Sequence, residues 1–423
     1  MMAFLMKAQS LQPIRTVAMV LAGGRVGELS VLTMERPKAA LPFAGYYRII
    51  DFALSNLMQA GLTQVGILSQ YRPASLIEHV GTGESWDFVG LDRGAKILPP
   101  FWGGEAGDWY QGNADAVQQN WNYVEDCRAD LLLVVSGDHI YSLDYQDLIR
   151  VHLEKGADLT IGFKKVPHDP HFGYGRLDED GQVLEYREKP ASPAGDHASL
   201  TIYVLNVKAL REVFDSEEGR LGKLLEFGRH VIPYMMGRYR IFGYDFNGYW
   251  AYTRTIPMYY QAHQDLISGK IDIDEWGIRT NLQDTLVADQ PPARFGPDAI
   301  VSDSFVSTGC QIEGEVIRSV LSPGVRVGRG ARVVDSILCH NTVVGRNSVV
   351  ARTISDKHVC LGEGSRCGAE APGPDDAAGS ENPRGLITVL GKRCEIGERT
   401  VLSAGTSIVP EQRVPAGARV ERP

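Results

Sequence analysis

The final third of the chain repeats itself at an interval of 17 residues. Ser319-Val320-Leu321 recurs as Ser336-Ile337-Leu338, and Val333 recurs as Val350. A repeat of this length, in which short β-branched pairs alternate with Gly, Ser and Asn, is typical of one three-sided coil of a parallel β-helix. In such a coil the apolar residues stack along the axis, and glycines, which number 46 of 423 residues, permit the corners. The pattern predicts a β-helix, with an irregular β-sandwich as the alternative.

The first two-thirds of the chain follows a different pattern, in which short apolar runs alternate with longer amphipathic ones. The apolar runs predict buried strands and the amphipathic runs predict helices. This alternation predicts an α/β sheet that is covered by helices on both faces. The predicted strands are 16–22, 65–68, 131–135 and 159–163, and the predicted helices are 51–59, 114–124 and 145–153.

The two patterns divide the chain into segments. We expect an N-terminal tail at 1–16, an α/β domain at 17–269, a connector at 270–297 and a β-helix at 298–423. The stretch 369–385 is rich in Pro, Gly, Asp and Ser, which predicts an exposed loop that interrupts the coils.

Composition excludes several classes of protein. The chain is 43% hydrophobic and 22% charged with a net charge of −9, so it can form a full core, and it lacks the basic surface of a non-specific nucleic-acid binder. No apolar run approaches the roughly 18 residues of a membrane-spanning helix. The six cysteines include no CxxC pair, which argues against a disulfide scaffold and structural zinc. We expect a soluble cytoplasmic protein with no membrane or nucleic-acid partner.

Two polar motifs follow predicted strands, at the sheet edge where α/β proteins bind ligands. Gly23-Gly24 follows the first strand, and such a turn can present backbone N–H groups to phosphate, although a tight strand-to-helix turn would look the same. Asp138 follows the strand at 131–135. A carboxylate there suits Mg²⁺, and a helix N-cap is the alternative.

Three further motifs carry candidate binding residues. Lys38, in Arg36-Pro37-Lys38, could reach the same phosphates or be an ordinary surface lysine. The aromatic stretch 109–116 could hold a heterocyclic base or form a packed aromatic corner. Lys189, in Glu188-Lys189-Pro190, could bind a sugar phosphate.

Taken in this order, the motifs resemble those of the sugar-1-phosphate nucleotidyltransferases, and most closely the glucose-1-phosphate adenylyltransferases (ADP-glucose pyrophosphorylases). The most specific stretches are 36–40, 43–56, 109–120, 137–141 and 188–190. The resemblance implies a Rossmann-like α/β domain with a mostly parallel mixed sheet, followed by a left-handed parallel β-helix. It also implies condensation of ATP with glucose 1-phosphate to ADP-glucose and pyrophosphate, for glycogen or starch synthesis, by an allosterically regulated tetramer.

The resemblance also assigns roles to residues by position. It implies catalytic roles for Lys38, Asp138 and Arg25, with Asp138 holding Mg²⁺. The implied nucleotide-binding residues are Leu21, Ala22, Gly23, Gly24, Gln70, Trp109, Tyr110 and Gly112. The implied sugar-phosphate-binding residues are Gly173, Glu188, Lys189, Ser199, Glu226, Phe227 and Trp250.

Two positions depart from the family pattern. Glu28 stands where the family has an arginine that stabilises the leaving pyrophosphate, and we expect its negative charge to repel a triphosphate. Tyr252 stands where the family has a second magnesium carboxylate. Arg25 or Arg254 could replace the missing arginine, and Asp245 could replace the carboxylate.

These departures leave three hypotheses open. The first is an active adenylyltransferase that binds ATP, glucose 1-phosphate and Mg²⁺. The second is a catalytically impaired regulatory subunit that assembles with an active paralogue, which would make the oligomer a hetero-oligomer instead of a homotetramer. The third is a nucleotidyltransferase with a different base or sugar.

Overall fold

The structure is a computed structural model that describes residues 14–100, 109–193, 195–368 and 386–421. The predicted loop at 369–385 and most of the predicted tail at 1–16 lie outside the described residues. In the described ranges, no helix has both the length and the apolar character needed to cross a bilayer.

A nine-stranded mixed sheet forms the centre of the first part of the chain. The strands of this part are β1 Thr16–Leu21, β2 Pro42–Phe43, β3 Tyr47–Arg48, β4 Gln64–Leu68, β5 Gly94–Leu98, β6 Leu131–Ser136, β7 His139–Tyr141, β8 Leu159–Lys165, β9 Gly173–Leu177, β10 Val183–Glu188, β11 His197–Asn206, β12 Ile241–Asp245 and β13 Trp250–Tyr252. The sheet runs in the order β10-β9-β11-β6-β1-β4-β5, and β8 pairs with β11 and β12. The strands β6, β1, β4 and β5 are mutually parallel, whereas β11 is antiparallel to β6.

Helices cover both faces of this sheet. The α-helices of this part of the chain are α1 Ile50–Gln59, α2 Ala74–Val80, α3 Asn113–Gln119, α4 Trp121–Asp126, α5 Tyr145–Glu154, α6 Val207–Phe214, α7 Glu217–Arg220, α8 Ile232–Met235 and α9 Ile256–Ile267. Short 3₁₀ turns lie at Gly27–Thr33, Lys38–Ala40, Glu84–Trp86 and Asp284–Asp289, and a π turn lies at Phe227–Val231. Side chains of β1 alternate between the two faces. Ala18 and Val20 pack in one buried cluster with Ile50, whereas Val17 and Met19 pack in another. The apolar run of β1 is continuous because both faces are buried.

The four predicted strands are confirmed within two residues at each end. The prediction of one helix over 114–124 is wrong, because the structure has two helices that are separated at Asn120. The Asn120 side chain donates hydrogen bonds to the carbonyl oxygen of Ala116, at 2.9 Å, and to the hydroxyl of Tyr110, at 2.8 Å. A side-chain amide that bonds to nearby backbone in this way competes with the helical pattern.

The second part of the chain is a three-sided parallel β-helix, as predicted. Its first sheet comprises Arg294–Phe295, Gln311–Ile312, Arg326–Val327, Val343–Val344, Cys360–Leu361, Glu395–Ile396 and Arg413–Val414. The second comprises Ile300–Ser302, Glu315–Ile317, Arg332–Val334, Val349–Ala351, Arg366–Cys367, Val401–Leu402 and Arg419–Val420. The third comprises Phe305–Val306, Val320–Leu321, Ile337–Leu338, Thr353–Ser355, Thr388–Leu390 and Ser407–Ile408. The first strand, Arg294–Phe295, lies within the segment that the sequence suggested as a connector.

The repeat in the sequence corresponds to the ladder in the structure. Val316 pairs with Val333, and Val333 pairs with Val350, and none of the three is exposed to solvent. One step of the same sheet is longer, since Cys367 pairs with Leu402. The ladder therefore continues across a coil that contains many more residues than the others.

The third sheet of the β-helix packs against the α/β part. Ile337 and Ile354 belong to one buried cluster with Leu29 and with Tyr259 of α9. Within this contact Arg36 donates two hydrogen bonds to the carboxylate of Asp356, at 2.8 and 2.9 Å, and only 3% and 2% of the two side chains is exposed. The two parts of the chain are therefore joined by both apolar packing and a buried ion pair.

Candidate functional site

A cavity of about 390 Å³ opens at the carboxyl ends of the central parallel strands. Leu21, Leu68 and Ser136, which lie at the ends of β1, β4 and β6, form its floor. The sequence analysis predicts a ligand site at this edge of the sheet. The predicted residues that line the cavity are Leu21, Gly23, Gly24, Gln70, Tyr110, Gly112, Asp138, Gly173, Glu188, Lys189, Ser199 and Glu226.

The glycine turn lies directly beside the chain that follows β4. The Gly23 carbonyl accepts a hydrogen bond from the Tyr71 N–H at 3.1 Å. A Cβ atom at Gly23 would lie 3.3 Å from the Gln70 nitrogen and 3.4 Å from the Leu68 oxygen, whereas a Cβ at Gly24 would meet open space. A side chain at position 23 would therefore be tightly packed against the chain that follows β4, whereas Gly24 lines the cavity and leaves room for a ligand.

Gln70 and Gly112 shape the end of the cavity that the sequence assigned to the base. The Gln70 side chain accepts a hydrogen bond from the backbone N–H of Tyr110 and donates one to its carbonyl. Gly112 is extended, and a Cβ atom there would collide with the carbonyl oxygen of Leu225. Trp109 is 65% exposed and is not among the described residues that line the cavity. The structure therefore supports Tyr110 as the aromatic wall and does not bring Trp109 to it.

Glu188 and Lys189 also line the cavity. Tyr186 donates a hydrogen bond from its hydroxyl to the Glu188 carboxylate at 2.9 Å. Lys189 Nζ lies 3.9 Å from the same carboxylate and is 41% exposed. Cβ atoms at Gly173 or Gly228 would collide with this tyrosine or this glutamate. The carboxylate is therefore fixed by tight packing, whereas the ammonium group is free to reach a ligand.

Three predicted residues lie behind the cavity wall. Phe227 is fully buried, and its ring centroid is 5.4 Å from that of Tyr203, which lines the cavity. Trp250 donates a hydrogen bond from its indole N–H to Nδ1 of His139 at 3.3 Å. Ala22 is 3% exposed. These residues support the wall and are not among those that line it.

Asp138 occupies the turn between β6 and β7, where its carboxylate faces the cavity. Oδ2 lies 3.2 Å from Nζ of Lys38, and Oδ1 accepts a hydrogen bond from the Ser136 hydroxyl and lies 3.3 Å from Nε2 of His139. Burial alone would raise the pKa of Asp138, but Lys38, His139 and Ser136 together lower it to about 2. The carboxylate is thus ionised, and it is not the helix N-cap that the sequence left open.

Lys38 does not reach the cavity in this structure. Its side chain is 1% exposed, and Nζ lies 4.3 Å from the centroid of the Tyr252 ring. Burial lowers the pKa of Lys38, against the opposing effect of Asp138. Lys38 is therefore not an ordinary surface lysine. It is the counter-charge of Asp138, and the ring of Tyr252 covers it.

Glu28 and Tyr252, the two positions that depart from the family pattern, both contact Arg254. Arg254 donates hydrogen bonds to Glu28 at 2.7 and 2.9 Å, and it donates one to the Tyr252 hydroxyl at 3.1 Å. A hydrogen bond within Glu28 itself and the contact with Arg254 lower the pKa of Glu28. The charge of Glu28 is thus paired with that of Arg254, and the expectation that Glu28 repels a triphosphate stays a prediction. Arg25 and Asp245 are both exposed, and neither lines the cavity.

The cavity offers a carboxylate that fits a divalent metal ion whose other ligands come from a bound molecule or from water. Within the described ranges, no group of three or more His, Cys, Asp or Glu side chains could hold a metal ion. Mg²⁺ commonly takes one or two carboxylates and completes its shell with substrate phosphates and water, and Asp138 supplies one. Burial and the proximity of Asp138 raise the pKa of Tyr252, so the phenol is neutral and is a poor second ligand.

Several residues that line the cavity were not predicted from the sequence. Tyr186 precedes Glu188 by two residues in β10, and a period of two places both side chains on one face, so this residue was detectable. His171 is held by Asp169, with Nδ1 and Oδ1 2.6 Å apart, and no sequence signal marked it. The lining residues that the sequence did not single out are Leu68, Ser136, His171, Phe172, Tyr186, Thr201, Tyr203 and Gly228.

Comparison with known proteins matches both parts of the fold. A family model described as nucleotidyl transferase matches residues 17–269. A second, described as GlmU-like, C-terminal hexapeptide, matches residues 291–390. The hexapeptide match agrees with the left-handed form of the β-helix that the sequence predicts.

Among similar proteins, three named glucose-1-phosphate adenylyltransferase cover most of the chain. The protein from Desulforamulus reducens is 38% identical over 345 residues, which are 80% of this chain and 85% of that protein. The protein from Acetivibrio thermocellus is 36% identical over 91% of this chain and 92% of its own length. The protein from Thermotoga neapolitana is 41% identical over 75% of this chain and 76% of its own length. The chain is a nucleotidyltransferase, and it belongs to the glucose-1-phosphate adenylyltransferase family.

Proposed function

We propose that the chain transfers the adenylyl group of ATP to glucose 1-phosphate, which yields ADP-glucose and pyrophosphate. The observation that carries this proposal is the position of Asp138. Its ionised carboxylate lines the same cavity as Gly23 and Gly24 and as Glu188 and Lys189. A phosphate-binding turn, a metal-binding carboxylate and a polar pocket with a lysine form the set that this reaction needs.

The reaction is a displacement at phosphorus, and it needs no protein nucleophile. A phosphate oxygen of glucose 1-phosphate forms a bond to the α-phosphorus of ATP, and the bond from that phosphorus to the bridging oxygen of pyrophosphate breaks. Catalysis of this kind consists of positioning and charge stabilisation. A magnesium ion at Asp138 would neutralise charge on the phosphates of the nucleotide.

The side chains of the cavity suit the two substrates at its two ends. Tyr110, which Gln70 holds by its backbone, offers a ring surface to the adenine base. Glu188, which accepts a hydrogen bond from Tyr186, has a second carboxylate oxygen that can accept from sugar hydroxyls. Lys189 would pair with the sugar phosphate. Lys38 acts indirectly, because it keeps Asp138 ionised.

Replacement of Asp138 by asparagine tests this proposal. Asp138→Asn removes the negative charge that would hold the metal ion, so we expect pyrophosphate release with ATP, glucose 1-phosphate and Mg²⁺ to fall by about 10²–10³ or more. Asp147→Asn is the matched control, since Asp147 is an exposed carboxylate on α5 that pairs with Arg150. An Asp138→Asn protein that keeps more than a tenth of the activity would contradict the metal assignment.

A second candidate function is nucleotide binding with little turnover, within an assembly that includes an active paralogue. Tyr252 favours it, because a neutral phenol covers Lys38 at the position where the family resemblance implies a carboxylate. The purified chain alone decides between the two. Turnover near the ordinary enzyme value of about 10 s⁻¹ excludes the second candidate, and tight ATP binding without turnover supports it.

We further propose that the chain assembles as a tetramer. Apolar side chains on the first coil of the β-helix support an assembly, since Phe295, Ile300 and Phe305 are between 42% and 59% exposed. The three residues lie on the first strands of the three different sheets, and exposed apolar side chains of this size are candidates for a surface that another protein covers. Light scattering of the purified chain gives the mass that tests this proposal.

A further inference from the structure

We propose that Arg254 binds the β- and γ-phosphates of the nucleotide, and that Glu28 is the counter-ion that holds Arg254 in position for them. The inference rests on the proposed function, since it requires a nucleoside triphosphate with its phosphates at Gly23 and Gly24. Under this proposal Glu28 and Tyr252 share one role, since each makes a hydrogen bond with the guanidinium group of Arg254.

The guanidinium group lies next to Tyr252, which lines the cavity, whereas Arg254 and Glu28 are not among the described lining residues. Glu28 belongs to the segment that continues from Gly24, and Tyr252 lines the cavity at the end of β13. Nε and Nη2 of Arg254 donate to one oxygen of Glu28 at 2.9 and 2.7 Å, and Nη1 donates to the Tyr252 hydroxyl at 3.1 Å. The group is therefore anchored on two sides before any ligand binds.

Arg254 retains hydrogen-bonding capacity in this position. A guanidinium group carries five N–H donors, and the contacts with Glu28 and Tyr252 use three of them. Among the described residues, the remaining two donors, one on Nη1 and one on Nη2, have no partner, and 26% of the side chain is exposed. Phosphate oxygens can therefore bind to Arg254 without displacement of Glu28.

Other cations near the glycine turn are less suited to this task. Lys38 is buried beneath Tyr252 and paired with Asp138. Arg25 is exposed, and in the described ranges no hydrogen bond or ion pair fixes its position. Lys189 is half exposed and lies beside the Glu188 carboxylate, with Nζ 3.9 Å from it. A fixed cation binds a polyphosphate at a smaller entropic cost than a mobile one, which favours Arg254.

Binding of ATP and of AMP to the full-length protein tests the proposal, because AMP lacks the two phosphates in question. Titration calorimetry with Mg²⁺ and without a sugar phosphate avoids turnover. We expect Arg254→Ala to weaken ATP binding by about tenfold or more, the effect of one charge-assisted hydrogen bond, and to leave AMP binding within about twofold. Arg150→Ala, which removes an arginine from an exposed ion pair on α5, should change neither affinity.

Variants of Glu28 test whether Arg254 contacts phosphate or only neutralises the charge of Glu28. If Arg254 contacts phosphate, the double variant Glu28→Gln with Arg254→Ala still binds ATP more weakly than the wild type, because the phosphate contact is lost whichever residue stands at position 28. A double variant with wild-type ATP affinity would show that Arg254 only neutralises Glu28, and would overturn the proposal.

Two further results separate this inference from the proposed function. The inference is overturned if Arg254→Ala loses ATP and AMP affinity equally, or if it loses neither. In that case turnover by the wild-type protein still supports the proposed function. A wild-type protein that binds no ATP and shows no turnover overturns both. Circular dichroism of each variant verifies folding, and Arg254→Lys, which keeps the charge, should recover part of the ATP affinity.

Discussion

At the scale of single residues, the site is organised by charge pairs that are satisfied within the protein. Asp138 is paired with Lys38, and Glu28 is paired with Arg254. Tyr252 touches both pairs, since its ring lies over Lys38 and its hydroxyl accepts from Arg254. A substitution at any of these five positions therefore changes the electrostatics of its neighbours as well as its own.

This coupling predicts the effect of restoring the family residues. In the double variant Glu28→Arg with Tyr252→Asp, Arg254 loses its counter-ion and faces a second arginine. We expect kcat/KM for ATP to fall by about tenfold or more, as expected when a positioned charge contact is lost. Steady-state pyrophosphate release measures it.

The opposite outcome of this experiment is equally informative. A rise in activity of about 10²–10³ would show that Glu28 and Tyr252 suppress catalysis, as the second candidate function requires. The double substitution to Gln and Phe is the matched control, because it removes the charge of Glu28 and the hydroxyl of Tyr252 without introducing new charges.

At the scale of elements, strands were easier to predict than the positions of the side chains between them. β1 and β6 are continuous apolar runs, and burial on both faces accounts for such a pattern without knowledge of the partners. The break at Asn120 depends on a hydrogen bond to a tyrosine, and the burial of Lys38 depends on Tyr252, which lies in a distant part of the sequence. Contacts of this kind are tertiary, so no local pattern contained them.

Two histidines on helices that cover the sheets predict how stability depends on pH. His152 of α5 and His263 of α9 are buried, and burial lowers the pKa of each to about 4, from an ordinary value of 6.5. Below pH 6.5 the unfolded chain takes up protons that the folded protein resists, so stability falls as pH falls toward 4. Each histidine contributes about 1.4 kcal/mol per pH unit in this window.

We therefore expect the free energy of unfolding to drop by about 3 kcal/mol between pH 7.5 and 5.5 from these two groups. Denaturant titrations at the two pH values measure the drop. In His263→Phe the drop should be smaller by about 1.4 kcal/mol. An unchanged drop in that variant would show that His263 is not protonated on unfolding in this range.

At the scale of the whole molecule, a buried ion pair joins the α/β part to the β-helix. Arg36 and Asp356 are almost fully buried and 320 residues apart in the chain. Each would be an uncompensated buried charge without the other. The two parts of the molecule are therefore expected to unfold together.

Substitutions at this pair test the connection. Arg36→Met leaves the Asp356 carboxylate buried without its partner, so we expect a loss of about 3–5 kcal/mol in the free energy of unfolding, and the double variant with Asp356→Leu should recover much of it. Denaturant titration followed by fluorescence measures both. Lys392→Ala is the matched control, because Lys392 and Glu35 form a partly exposed pair, which should contribute less than about 1 kcal/mol.

The uneven spacing of the β-helix ladder has a practical consequence. Cys367 and Leu402 are neighbours in the second sheet, just as Val333 and Val350 are, although the chain between the first two is about twice as long as the chain between the second two. The strand register in this sheet therefore does not depend on the length of the chain that connects one strand to the next. The segment that joins Cys367 to Leu402 is accordingly the natural place to graft a foreign peptide, such as an affinity tag or a fluorescent reporter.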